Sequence, residues 1–159
     1  MEEFVRLVKE ANGALKTADH LTYVTYPLVN DVKLLIKIIE NLHSAVVLGM
    51  YALLYYDRLY KRIGPLAENF DSRYSVFVNK TARRYNINTE VLMLIRELRE
   101  LVEHHRISPI EFARKDKYLI CSSDYRNMKN VTVEKIKKFL SKAKPFILEV
   151  NKILDGRKL

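Results

Sequence analysis

Apolar residues recur every three or four positions along most of this chain, which is the spacing of amphipathic helices. The pattern predicts five main helices, near residues 2 to 25, 30 to 63, 70 to 84, 90 to 105 and 132 to 154. We expect the first helix to end before Pro27, because a residue that precedes proline disfavours helical backbone. The prediction is therefore an all-α protein, a single helical-bundle domain that spans residues 1 to 159.

The second predicted helix is the most apolar segment and should form the centre of the core. Its longest near-apolar run, from Ala45 to Tyr56, has about twelve residues, whereas a membrane-spanning helix needs about 20. Glu40, Asn41 and His43 interrupt the apolar pattern just upstream. We therefore expect a buried helix and no membrane partner.

Residues that favour helix starts mark several of the predicted boundaries. Thr89 and Thr132 are positioned to cap the fourth and fifth helices with their hydroxyl groups. Ser108-Pro109-Ile110-Glu111 has the residue order of a further helix start, and the fading apolar pattern after it predicts a single short turn. Pro145 lies inside the last helix and is expected to kink or break it.

The stretch before the last helix has weaker signals. Residues 117 to 121, Lys-Tyr-Leu-Ile-Cys, favour a strand but stand isolated, and residues 122 to 130 have the polar composition of a loop. We interpret this stretch as an irregular basic loop attached to the bundle.

The composition narrows the classes of protein and of site. A length of 159 residues with 48% hydrophobic content suits one continuous core. Cys121 is the only cysteine, which excludes an intramolecular disulfide and a cysteine-based zinc site and favours a reducing compartment. Met1-Glu2-Glu3 lacks the basic start of a secretory signal, so we expect a cytoplasmic protein. The lack of Gln and Trp, with many Lys, Tyr and Ile, favours a thermophilic source.

Positive charge predicts a negatively charged partner, either a polyanion or an acidic protein. The chain has a formal net charge of +9, and the stretch from Arg106 to Lys144 has eleven basic residues against four acids, a net +7. Lysine and arginine bind phosphates whatever the base sequence, and the interleaved Tyr118 and Tyr125 offer rings for base stacking. The alternative is that the lysines form the solvated face of the last helix. The candidate nucleic-acid-binding residues are Arg106, Arg114, Lys115, Lys117, Arg126, Lys129, Lys135, Lys138 and Lys142.

Arg99 and His104, on the fourth predicted helix, form a candidate catalytic pair. Histidine transfers protons near neutral pH, and arginine stabilises charge that develops on phosphate oxygens. His104 continues a polar row, whereas His105 edges onto the core face. Residues five apart on an ideal helix point about 140° apart, so the pair converges only if the helix loosens or two subunits combine. The alternative is a surface with two ion pairs four residues apart, Arg96–Glu100 and Arg99–Glu103.

Other kinds of site find little support in the sequence. The four glycines are isolated, which excludes a glycine-rich phosphate loop and a nucleophile elbow. His20 and His43 lie on different predicted helices without the spacing of metal ligands, and we interpret them as packing residues. We expect neither a metal nor another cofactor.

The motif Arg99-Glu100-x-x-x-His104, near the end of an inner helix and followed by a loop and a last helix, resembles the HEPN superfamily. That superfamily comprises helical domains that include metal-independent ribonucleases and also inactive RNA-binding or partner-binding forms. The resemblance implies that Arg99 and His104 occupy the catalytic positions and that the protein is a homodimer. Glu100 stands where the family more often has asparagine.

Two longer stretches, residues 18 to 26 and 108 to 121, are similar to a group of uncharacterised archaeal helical proteins, a likeness that implies no activity. Two hypotheses follow from the sequence. The first is an RNA-binding helical protein, a metal-independent ribonuclease of HEPN type in its catalytic form. The second is a non-catalytic helical interaction module that docks an acidic protein or a nucleic acid.

Overall fold

A computed structural model of the protein describes residues 2–107, 110–114, 117–121 and 128–156. These residues form a bundle of five continuous helical stretches, which confirms the predicted all-α fold. Two of the stretches contain a π-helical turn, Leu21–Thr25 in the first and Phe77–Thr81 in the third. The helices are α1 (Glu3–His20), α2 (Tyr26–Val29), α3 (Leu34–Leu59), α4 (Phe70–Val76), α5 (Ala82–Arg84), α6 (Thr89–Ile107) and α7 (Val133–Asp155).

Helix α3 lies at the centre of the bundle, as its apolar sequence predicts. It packs against α1, α6 and α7, and it contributes the largest share of the fully buried side chains. By length and composition, α3 is the one described helix that could cross a membrane, and 56% of its most apolar window is buried inside the bundle. Burial in the core of the bundle therefore accounts for its composition. Its buried leucines and isoleucines include Leu35, Ile38, Ile39, Leu42, Leu53 and Leu54.

Helices α3 and α7 approach each other closely at Gly49. A β-carbon at this position would lie 2.8 Å from Cδ1 of Ile147 and 3.3 Å from Cε2 of Phe146. Only glycine therefore fits there without displacing a neighbour. Helix α7 passes Pro145 as one continuous helix, so the proline does not break it, and its ring is exposed on the outer side.

The first and last helices are joined by a pair of amide side chains. Asn12 donates to the carbonyl oxygen of the Asn151 side chain at 3.0 Å, and Asn151 donates back to that of Asn12 at 2.9 Å. Further along the same helices, Lys144 Nζ lies 2.5 Å from Asp19 Oδ1. These polar contacts fix the register of α7 beside α1.

The prediction that the first helix ends before Pro27 is wrong. The amide of Tyr26 donates to the carbonyl of Leu21, five residues back, which forms a π-helical turn. Proline has no N–H to donate to the preceding turn. The wider π-helical turn accommodates Pro27, and the helix continues to Val29. Asn30 ends it with φ of 55°, in the left-handed region, and the next helix therefore begins later than predicted.

The predicted irregular loop before α7 contains a small sheet. Strands β1 (Ile110–Arg114), β2 (Lys117–Cys121) and β3 (Met128–Val131) pair antiparallel in that order. The predicted helical turn is wrong at Ile110 and Glu111, which open β1, while residues 108 and 109 lie outside the described segments. The strand predicted to be isolated, β2, pairs with β1 on one side and with β3 on the other. The backbone N–H and C=O groups of a strand need hydrogen-bond partners, and these two neighbouring segments supply them.

The two predicted caps have different outcomes. The prediction for Thr132 is confirmed, because its hydroxyl accepts a hydrogen bond from the amide of Lys135 at 3.1 Å. The prediction for Thr89 is wrong, because Thr89 is already the first residue of α6. Asn88 takes the capping role, and its side-chain oxygen accepts from the amide of Glu90 at 2.8 Å.

A pair of glycine substitutions tests the close approach of α3 and α7. Gly13 lies in α1 with open space around it, so Gly13→Ala should raise the free energy of unfolding by about 0.5 to 1 kcal/mol through helix propensity. Gly49→Ala has the same propensity gain but must displace Ile147, and overpacking costs about 1 to 3 kcal/mol. We expect a net loss, measured by urea denaturation. Equal stabilisation by both substitutions would contradict the packing described above.

Candidate functional site

Arg99 and His104 lie on one regular stretch of α6. This helix is continuous from Thr89 to Ile107, without a π-helical or broken turn between the two residues. Side chains five positions apart on such a helix diverge by about 140°. A single chain therefore does not bring the predicted catalytic pair together, and of the two routes to convergence only the pairing of two subunits fits this helix.

Arg99 is engaged by neighbours on two helices. Its Nη2 atom lies 3.3 Å from Glu103 Oε1, and its guanidinium carbon lies 4.6 Å from the centre of the Phe70 ring on α4. The other predicted ion pair of this helix, Arg96–Glu100, also forms, at 3.9 Å. Exposed pairs of this kind contribute about 0 to 1 kcal/mol each. A phosphate that binds Arg99 must therefore compete with Glu103, at a small cost in free energy.

The two neighbouring histidines face different surroundings. His104 is partly buried, and His105 lies toward α3, where its Nε2 atom is 3.9 Å from Glu40 Oε1. The predicted orientation of His105 toward the core side agrees with this contact, although a third of its side chain is exposed. Arg106 is exposed, with its Nη1 atom 3.7 Å from Glu103.

His43, on α3, is a neighbour of Arg99 that the sequence did not reveal. Its ring is partly buried, and within the described segments its buried Nε2 atom has no hydrogen-bond partner. Burial, with the positive charges of Arg99 and Arg106, lowers the pKa of His43 to about 4, while Glu103 acts in the opposite direction. His43 is therefore neutral at pH 7. This electrostatic interaction joins two different helices, so no local spacing in the sequence indicates it.

A third arginine covers the same side of α3 further along. Arg73 lies 4.6 Å from the centre of the Tyr51 ring and donates to the Tyr55 hydroxyl at 3.1 Å. Burial raises the pKa of Tyr51, and the charges of Arg73 and Arg99 oppose that rise. Arg73 thus stacks on the aromatic rings of α3 that face α4.

A buried carboxylate, Asp57, connects the C-terminal end of α3 to residues that follow it in the chain. The hydroxyl of Tyr85 donates to its Oδ1 atom at 2.5 Å, Arg62 Nη1 lies 3.4 Å from the same atom, and Arg84 Nε lies 3.5 Å from Oδ2. Burial and the bond to Asp57 raise the pKa of Tyr85 well above its usual value. The carboxylate is fully enclosed, which suits a structural ion cluster and leaves it out of reach of a substrate.

The lysines of α7 divide between two flanks of the helix. Lys135, Lys138 and Lys142 lie on the flank beside α6, where Lys135 Nζ is 3.7 Å from Glu97 Oε1. Lys137 and Lys144 lie on the flank beside α1, and both approach the ring of Tyr23. We call these the α6 flank and the α1 flank. Within the described part of the chain, only Lys135 and Lys144 of these five lie at ion-pair distance from an acid.

The remaining candidate residues belong to the sheet region. The backbones of Arg114 and Lys117 pair across β1 and β2, and that of Lys129 pairs with Ile120 across β2 and β3. Lys115, Arg126 and Tyr125 lie outside the described segments. Tyr118 is partly buried and packs against the hydrophobic core, which makes it a poor surface for stacking. Of the candidate basic residues, the structure describes the side chains of Arg106 and of the α7 lysines.

Comparison with protein-family models, curated proteins and solved structures finds no match to this chain. Across residues 2–107 and the other described segments, no three His, Cys, Asp or Glu side chains are grouped in a way that could hold a metal ion. The geometry and charge of the chain itself are therefore the basis for assigning a function.

The low pKa of His43 predicts that the free energy of unfolding decreases in acid. Between pH 6.5 and 4 the unfolded chain binds a proton at residue 43 that the folded chain does not, so stability falls as pH falls through this window. The slope reaches at most about 1.4 kcal/mol per pH unit. His43→Gln should flatten the dependence of the unfolding free energy on pH, measured by urea denaturation. His20→Gln, at an exposed position, is the control and should keep the slope; a His43→Gln slope equal to wild type would contradict the burial of His43.

Proposed function

We propose that the protein binds RNA through the first half of α7. The observation that carries this proposal is the segment from residue 135 to 144, which has five lysines and no acid on two flanks of one helix. Four of the five lysines are exposed, and Lys135 is partly buried. Such a surface binds phosphates by displacing their counterions, whatever the base sequence.

The apolar side of α7 supports the proposal because it fixes the position of the lysines. Ile136, Leu140 and Ala143 are buried, so the lysines between them must lie on the flanks and outer side of the helix. The α6 flank alone extends from Lys135 to Lys142, seven helical steps or about 10 Å along the axis. A solvated amphipathic helix has the same apolar spacing, but a surface stabilised by its own ion pairs alternates charges of opposite sign, and this segment has no acid.

The HEPN-like motif extends the proposal to a catalytic form. Because Arg99 and His104 diverge on one regular helix, we propose that RNA cleavage requires a site in which Arg99 of one protomer meets His104 of the partner subunit. In that site the imidazole of His104 transfers a proton and the Arg99 guanidinium stabilises the negative charge on the phosphate. No metal is needed for these two roles. The second hypothesis, a non-catalytic interaction module that docks an acidic protein or a nucleic acid, needs no such shared site, and in it the Arg99–Glu103 pair is an ordinary surface ion pair.

Charge reversal on the α6 flank tests the binding proposal. The triple variant Lys135→Glu, Lys138→Glu and Lys142→Glu should weaken binding of a fluorescently labelled RNA by more than tenfold and reduce its dependence on salt. The matched control reverses three exposed lysines away from α7, namely Lys9, Lys37 and Lys80, and changes the net charge equally. We expect the control to lose far less affinity. Equal losses would assign binding to net charge alone, and wild-type protein without salt-dependent binding would refute the RNA proposal.

Mixing two inactive variants tests the catalytic form. His104→Ala and Arg99→Ala should each abolish cleavage of labelled RNA and leave binding largely intact, and EDTA should change neither. In a mixture of the two variants, a mixed dimer retains one site with both groups, so part of the activity should return. His20→Ala should cut like wild type. Wild-type protein that binds but never cuts would leave only the non-catalytic module, and failure of the mixture to regain activity would contradict a shared site.

A further inference from the structure

The π-helical turn Leu21–Thr25 presents an aromatic ring to solvent beside α7. The side chain of Tyr23 is half exposed, at 49%. Lys137 Nζ lies 5.4 Å and Lys144 Nζ 5.3 Å from the centre of its ring. The chain thus places one accessible aromatic ring and two cations together on the α1 flank, from segments at opposite ends of the sequence.

The local structure holds this ring in position. Thr22 is buried, and its hydroxyl donates to the carbonyl of Ala18 at 2.7 Å, so the adjacent residue, Tyr23, faces outward. The π-helical turn itself follows from Pro27, as described above, and turns of this kind are frequent at functional sites. Asp19, one turn before Thr22, fixes the ammonium group of Lys144 at 2.5 Å. The ring and one of its two cations are therefore preorganised, and a phosphate that binds Lys144 must share its ammonium group with Asp19.

We propose that Tyr23 is a stacking platform for an unpaired RNA base, with Lys137 and Lys144 binding the phosphates on either side of that base. The inference rests on the proposed RNA binding and adds the substrate class, which is single-stranded RNA. An aromatic face stacks on any base that is free to leave its neighbours, whereas the bases of a duplex are already stacked and its deep groove excludes side chains. Lysine supplies the charge contacts without reading sequence.

The apolar surroundings of Tyr23 define the competing occupant. Val24 and Leu28 are exposed at 45% and 80%, and an exposed apolar helix end with nearby lysines also suits the surface of an anionic membrane. Two observations favour RNA. Both lysines lie at the Tyr23 ring, and the ring borders the same lysine-rich half of α7 that carries the α6 flank.

A comparison of single-stranded and duplex RNA tests the inference. Wild-type protein should bind a labelled single strand more tightly than a duplex of the same length, by fluorescence anisotropy at fixed salt. Tyr23→Ala should lower affinity for the single strand about tenfold and leave the duplex unchanged, because stacking contributes only to unpaired bases. Tyr23→Phe retains the ring and should restore binding. Tyr60→Ala, at a tyrosine of similar exposure on another surface, is the matched control and should bind like wild type.

Each further outcome separates this inference from the proposal on which it rests. Suppose that wild type binds RNA and that Tyr23→Ala lowers the affinities for single strand and duplex equally, or changes neither affinity. The stacking platform is then refuted, and RNA binding by α7 stands. If wild type binds no RNA and instead sediments with vesicles of anionic phospholipid, and Leu28→Ser abolishes that sedimentation, both proposals are refuted. Folding of every variant is checked by thermal denaturation.

Discussion

Burial of the apolar side chains of α3 is the constraint on which the rest of the structure depends. These side chains need apolar neighbours along the length of the helix, and α1, α6 and α7 supply most of them. The close contact at Gly49 brings α7 directly against it, and the enclosed Asp57 cluster anchors its C-terminal end. Because the centre is filled by side chains, the functional groups lie on the outer faces of the surrounding helices. The candidate interfaces are accordingly open surfaces, suited to a long polyanion more than to a small enclosed ligand.

The positive charge of the chain is distributed unevenly among these outer faces. Many arginines are compensated locally, as in the pairs of Arg6 with Glu3 and Glu10, of Arg99 with Glu103, and of Arg62 and Arg84 with Asp57. The lysines of α7 are compensated less, and the flank beside α1 combines two of them with the ring of Tyr23. Among the described residues, these arginines form fixed pairs, whereas three of the five lysines between residues 135 and 144 lie at no ion-pair distance from an acid. That division agrees with the chemistry of the two side chains, since the planar guanidinium stacks and forms fixed pairs whereas lysine stays mobile in water.

Local signals in the sequence predicted most of the fold, and contacts between distant segments account for what they missed. Apolar periodicity identified the central helix, the hydroxyl of Thr132 identified the start of α7, and the spacing of Arg99 and Glu103 identified their ion pair. The sheet was missed because a strand such as residues 117–121 gains its stability from partners that no local pattern shows. The continuation past Pro27 was missed because a π-helical turn supplies a bond five residues back instead of four. The neighbours of the candidate sites, His43 beside Arg99 and Tyr23 beside Lys144, are likewise joined only by the tertiary fold.

The position of α7 over α1 and α3 also has a consequence for biosynthesis. Helix α7 covers surface on both α1 and α3, yet it is made after all the helices that it joins. While the ribosome is still translating the segment before residue 133, the apolar side of α3 that receives Phe146 and Ile147 has no cover. The nascent chain must therefore carry exposed hydrophobic surface until α7 leaves the exit tunnel. During that interval the exposed apolar surface makes the chain most prone to aggregation.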